Sequence, residues 1–216
     1  MADFRIDIIT DMVCPLGYLG YTRLKQAIEQ LGDDYQFELH WQPLELHSGI
    51  PLDGVDRTEY LASRFGNEER LNEADHAMQQ IGSEAGIEFN FSDKTVLPNT
   101  RLTHQLLQVA NHKKQSTNLA LALYRAYFTE LKDIGSKKQL VKIADQIGLT
   151  SEDIDKAFSV TVATQVAKRI EHFKTLEITS SPTYVINDKF VIHGPHQPQD
   201  FCQVIMDIAA KDSTEK

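Results

Sequence analysis

The sequence predicts an α/β protein that opens as βαβ, runs through a long helical middle and closes as ββα. Three observations carry this. Residues 4–10 alternate apolar and polar, and the pattern then changes to helical spacing. A mostly helical stretch follows from Pro51 to Leu176. Strand signals return only after residue 180.

Phe4, Ile6 and Ile8 stand against Arg5 and Asp7, the period of a strand. From Met12 to Gly32 the period becomes helical, with Gly17, Tyr21, Leu24, Ile28 and Leu31 on one face and Gly32 as the stop. Tyr35 to Trp41 alternates again, which completes a βαβ unit with parallel strands. In the middle, Pro98-Asn99 precedes a helix carrying Leu102, Leu106 and Val109. Leu119, Leu123, Ala126, Tyr127 and Leu131 share a helix face. Ser136 with Gln139 resembles a capping box for a helix ending near Gly148, and Thr150 with Asp153 opens the next. Val160 to Phe173 is a further helix. Thr183 to Asn187 and Phe190 to His193 then form a hairpin around Asn187-Asp188. Gln199 to Ala210 closes the chain as a helix with Phe201, Ile205 and Ile208 inward. This order is that of a thioredoxin-like fold with an inserted helical domain. Residues 1–50 and 177–216 would form the thioredoxin-like domain and residues 51–176 the insert.

Composition narrows the function. Twenty-two Lys and Arg against 31 Asp and Glu leave a net charge of −9, which argues against nucleic-acid and anionic-membrane partners. The short basic pairs Lys113-Lys114 and Lys137-Lys138 read as solvated helix ends. No run of about 18 apolar residues suggests a membrane span. The start of the chain reads as a strand rather than a secretory leader, and only two cysteines are present. A cytoplasmic location is expected.

Cys14-Pro15 falls where the first strand hands over to the first helix. A helix N-terminus offers unpaired N–H groups and a partial positive charge, which favour a thiolate. Such a position can lower a cysteine pKa from about 8.5 into the range of about 3.5–7.5. Pro15 suits the first helical position, where its missing N–H costs nothing. Locally, a reactive thiol and a packed core cysteine both fit Cys14. Pro182, in Ser180-Ser181-Pro182-Thr183, fits a strand's first residue, with a cis bond as the less common state. Asp11 can shape the turn before Cys14 or accept a proton there.

These segments together resemble the DsbA-like thioredoxin family, and within it the FrnE-like branch. The similarity runs through Asp11-Met12-Val13-Cys14-Pro15-Leu16-Gly17-Tyr18-Leu19-Gly20, Trp41-Gln42-Pro43-Leu44-Glu45-Leu46 and Asp56-Arg57-Thr58-Glu59-Tyr60-Leu61. It continues in Asn99-Thr100-Arg101-Leu102-Thr103-His104, Leu123-Tyr124-Arg125-Ala126-Tyr127-Phe128 and Ser181-Pro182-Thr183-Tyr184-Val185-Ile186. The resemblance implies that Cys14 is the nucleophile and that Pro182 is a cis-proline packed near it. Ser181 would then offer its backbone to a bound thiol ligand. The related 2-hydroxychromene-2-carboxylate isomerases and kappa-class glutathione transferases place glutathione contacts in the loop holding Pro195-His196. On that likeness His196 is a candidate binding residue, although Pro195-His196 departs from the small polar and acidic pair of those relatives; Pro15, beside Cys14, and His104, at the start of a helix in the insert, are candidates by position.

The chain also departs from the redox-active Cys-x-x-Cys pattern, because Gly17 stands in the second cysteine's place. A dithiol enzyme releases its mixed disulfide by attack of the second thiol. Here an external thiol would do so, with glutathione as co-substrate and no bound cofactor. Cys202, in the last helix, is expected far from Cys14. His193-x-x-His196 has too few ligands to suggest a metal. The leading expectation is a monothiol oxidoreductase acting on a protein disulfide or a small-molecule thiol. A glutathione-dependent isomerase or transferase and a non-catalytic binding protein on a redox scaffold are the alternatives. A homodimer is one assembly open to it.

Overall fold

In the computed structural model, residues 2–91 and 95–214 are described; Met1, at the start of the predicted strand, lies outside them. Strand β1 (Ala2–Thr10) leads through a turn into helix α1 (Pro15–Leu31) and then strand β2 (Tyr35–Pro43). Late in the chain come β5 (Thr183–Ile186), β6 (Phe190–His193) and α9 (Pro198–Thr214). The four strands form one sheet in the order β2-β1-β5-β6. β1 is parallel to β2 and antiparallel to β5. The hairpin turns on Asn187 and Asp188, both at positive φ. This is the predicted α/β thioredoxin-like arrangement.

Between the halves lie α2 (Arg57–Phe65), α3 (Glu68–Glu84), α4 (Arg101–His112), α5 (Ser116–Tyr124), α6 (Lys137–Gln146), α7 (Ser151–Ala157) and α8 (Val160–Thr175). The segment also holds a short antiparallel ladder, β3 (Val55–Asp56) with β4 (Val96–Leu97), which the periodicity did not predict because two-residue strands have no period. One cluster of buried apolar residues runs from Ile6 and Ile8 of the sheet to Leu123 and Leu140 of the middle segment. Asn111 of α4 closes the β2 edge, accepting from Trp41 N–H at 3.1 Å and donating to Trp41 O at 2.7 Å.

Two local expectations are corrected. Ser136 precedes α6 but its hydroxyl caps nothing; only its carbonyl accepts, from Gln139 and Leu140 N–H. Leu131 does not continue the face of α5, because the chain passes through a π-helical turn (Arg125–Thr129) and Leu131 takes a positive φ and points outward. Thr150 and Asp153 do form the predicted capping box.

Candidate active site

Cys14 is the N-cap of α1, held by its N–H donating to Asp11 O at 3.0 Å, with Pro15 in the first turn. The register of β1 on β5 pairs Ile9 with Thr183, so the chain just before β5 meets the turn just after β1. The Ser181-Pro182 bond is cis. The Cys14 thiol donates to Ser181 O at 3.6 Å. Ser181 thus lies beside Cys14, with its carbonyl turned to the protein's own thiol.

The helix-terminus argument for a lowered thiol pKa is corrected. Cys14 is only 4% exposed, and burial pushes its thiol up to about 11. The Ser181 hydroxyl and the N–H groups of Gly17 and Leu16 pull downward, and the charge of Asp11 adds to the upward push. Desolvation outweighs the donors.

Beneath Cys14 lies a chain of hydroxyls that sequence reasoning missed. Thr10 Oγ1 is 2.9 Å from Ser181 Oγ and 3.1 Å from the Tyr124 hydroxyl. Tyr124 stacks on Tyr18 with ring centroids 4.9 Å apart. These groups occupy the room a resolving thiol would need. A Cβ built at Gly17 would lie 2.6 Å from the Tyr124 hydroxyl and closer still to Thr10 Oγ1. At Gly20 a Cβ would meet the Tyr184 hydroxyl and Pro182 Cγ, the latter at 3.0 Å. The two glycines let the first turns of α1 press against the site.

The remaining predicted residues separate. The Asp11 carboxylate is buried, accepts from Leu46 N–H at 2.9 Å and lies 3.5 Å from His104 Nε2; no hydrogen bond joins it to the Cys14 sulfur. It ties the turn after β1 to the loop after β2. His104 is 1% exposed and its Nε2 lies 3.1 Å from Leu44 O, so it is a buried scaffold residue and not a ligand contact. His196 turns to His193 O at 2.9 Å and to Asp200. Cys202 Sγ contacts Ala27 O at 3.6 Å, near the far end of α1 from Cys14. Thirteen residue steps along α1 separate Ala27 from Cys14, roughly 20 Å at 1.5 Å per residue.

Pro15 lies at the wall of a cavity of about 380 Å³ that opens over Cys14. Apolar side chains line it, among them Leu16 of α1, Leu61 of α2, Met78 of α3 and Phe128 of the π-helical turn, with His47 and Arg64 also on its wall. Arg57 faces it too, but its guanidinium is taken by Asp75 through two bonds of 2.6 and 2.8 Å. Burial pushes the His47 imidazole below its ordinary pKa; Asp11 opposes this and Arg64 adds to it.

The DsbA-like thioredoxin domain family model matches residues 5–205. The chain is 25% identical to the uncharacterized protein YwbO of Bacillus subtilis strain 168 over 205 residues, 94% of this chain and 96% of that one. Solved structures with this fold include the probable DsbA oxidoreductase SCO1869 from Streptomyces coelicolor, at TM-score 0.84 and 21% identity, covering 94% of this chain and 89% of that one. A 2-hydroxychromene-2-carboxylate isomerase gives TM-score 0.73 at 13% identity, covering 98% and 99%. The cytosolic disulfide reductase DsbM from Pseudomonas aeruginosa, solved with GSH, gives 0.65 at 14%, covering 95% and 99%. With the family model spanning nearly the whole chain, and a cysteine at the start of α1 facing a cis-proline loop, this chain belongs to the DsbA-like thioredoxin domain family.

Proposed function

We propose that the protein is a monothiol member of this oxidoreductase family, in which Cys14 exchanges with a disulfide and an external thiol such as glutathione restores it. The supporting observation is the filled space at Gly17. The Thr10 and Tyr124 hydroxyls stand where a second thiol would be, so release must come from outside. In the forward step the Cys14 thiolate forms a bond to one sulfur of the substrate disulfide, and the other sulfur leaves as a thiolate and takes up the proton Cys14 lost. The external thiolate then attacks the substrate-derived sulfur, and Cys14 leaves and is reprotonated. The solved pairing of DsbM with GSH supports glutathione as that external thiol. The likeness to the FrnE-like branch and a cytoplasmic setting, where glutathione is abundant, belong to the same reading.

A thiol pKa near 11 does not remove this chemistry. Relative to an ordinary thiol near 9, the thiolate fraction at pH 7 falls about a hundredfold. Intrinsic nucleophilicity rises with pKa at a slope of about 0.4–0.5, which returns nearly tenfold. The net penalty is about tenfold, small enough for substrate binding to offset.

The test is intact-mass analysis after exposure to bis(2-hydroxyethyl) disulfide, followed by reduced glutathione. A single hydroxyethylthiol adduct on Cys14, discharged by glutathione, is expected, and Cys14→Ser should lose all turnover. No adduct on Cys14, or one that glutathione cannot discharge, overturns the reading. Glutathione-dependent turnover that survives Cys14→Ser would instead favour the isomerase alternative.

A further inference from the structure

We infer that the chamber over Cys14 selects a small, mostly apolar disulfide whose entering half carries one anionic group, and that Arg64 receives that group. The inference rests on the exchange chemistry above and adds its substrate class. Cys14 is almost wholly buried, so a reacting sulfur must come to it through the chamber. At about 380 Å³ the space falls at the lower end of small-molecule pockets, which span about 300–1,000 Å³. It is well above the roughly 150 Å³ that takes a benzene ring. A molecule with an aromatic ring fits such a space better than the disulfide of a folded protein.

The lining decides the chemistry. Leu61, Leu71, Met78, Leu97 and Phe128 supply an apolar wall. Leu16 and Phe65, which also line it, are 40% and 45% exposed and continue the apolar surface outward. Burying an aromatic group there is favourable in proportion to the apolar area it removes from water. The polar groups are few and unequal. Arg57 is committed to Asp75 and sits 4.7 Å over the Phe91 ring. Arg64 has no carboxylate within salt-bridge distance among the described residues; it stacks on Tyr60 at 4.6 Å and donates to the Tyr60 hydroxyl. His47 packs edge-on against the same Tyr60 ring at 5.3 Å, and its Nδ1 is buried without a hydrogen-bond partner among the described residues. One guanidinium without a carboxylate partner among the described residues matches an entering half with a single anionic group.

The same inventory argues against glutathione disulfide as the molecule that enters. Each glutathione half brings two carboxylates, an ammonium and two peptide groups, and an apolar wall leaves most of them unpaired. Glutathione then acts at the mouth, as the thiol that discharges the adduct. The exchange is balanced: one substrate disulfide and one external thiol yield one mixed disulfide and one released substrate thiol.

The test compares second-order rate constants at Cys14 in Cys202→Ser protein, each normalised to the same reagent's rate with free cysteine. The reagents are 5,5′-dithiobis(2-nitrobenzoate), neutral 4,4′-dithiodipyridine, bis(2-hydroxyethyl) disulfide and cationic cystamine. The two aromatic reagents are expected at least tenfold ahead of the aliphatic ones, with the nitrobenzoate first. Arg64→Ala should slow the nitrobenzoate at least fivefold and leave dithiodipyridine unchanged. Ala74→Phe, which narrows the chamber, should erase the aromatic preference while bis(2-hydroxyethyl) disulfide still reacts. Equal normalised rates across the four reagents, or a lead for cystamine, overturns the substrate class. Because bis(2-hydroxyethyl) disulfide would still label Cys14 in that case, the exchange reading would stand apart from it.

Discussion

At the residue scale the decisive group is Cys14, whose two influences oppose each other. The start of α1 offers donors to a thiolate, while near-complete burial favours the neutral thiol, and burial is the larger. Alkylation by iodoacetamide should therefore climb about tenfold per pH unit from 7 to 10 and level near pH 11. A plateau below pH 8 would show that the donors win. The sign carries over to stability. A pKa raised on folding means the neutral thiol's contribution is whole below the ordinary thiol value of 9.0 and is lost as pH rises through about 11. Wild-type protein should thus lose stability relative to Cys14→Ala over that window, by an amount on the order of 2 kcal/mol, in urea titrations at pH 8 and pH 11.

At the scale of elements, helix starts illustrate what side-chain caps contribute. Thr150 Oγ1 accepts from Asp153 N–H at 3.2 Å, and Asp153 reaches back to Thr150 N–H. Ser136, in a similar sequence setting, makes no such bond. Thr150→Ala should cost about 1 kcal/mol, whereas Ser136→Ala should stay within about 0.5 kcal/mol of wild type; thermal unfolding of the two variants checks the contrast. The sequence showed both positions as caps because residue types alone cannot say which hydroxyl points at the first turn. The same limit hid the end of α5, where the apolar spacing continues to Leu131 but the backbone widens into a π-turn after Tyr124.

At the scale of the whole molecule, α2 and α3 wall the chamber opposite the start of α1. Their joint is Arg57, buried and doubly bonded to Asp75. Asp75→Ala would leave a buried guanidinium without its partner, an error that costs about 3–5 kcal/mol in comparable pairs. Urea unfolding should show that loss, and Cys14 should alkylate faster at fixed pH as the wall loosens. Unchanged stability and unchanged alkylation would mean the pair does not hold these helices together.

Much of this protein was legible before its structure. Period-two and period-3.6 spacing marked β1, α1 and the closing hairpin, since those patterns follow from which side chains a strand or helix turns inward. Gly17 was visible as a missing resolving cysteine because the family resemblance puts the second cysteine of Cys-x-x-Cys at that position, which lies on the inward stripe of α1. Only the tertiary structure decided what fills its place: Thr10 comes from the end of β1 and Tyr124 from α5, more than a hundred residues apart. The burial of His104, the outward turn of His196 and the chamber lined by α2 and α3 were equally beyond periodicity. Local spacing sets which face of an element is apolar. Which distant faces meet, and therefore what a thiol feels and what can reach it, depends on how those elements pack together.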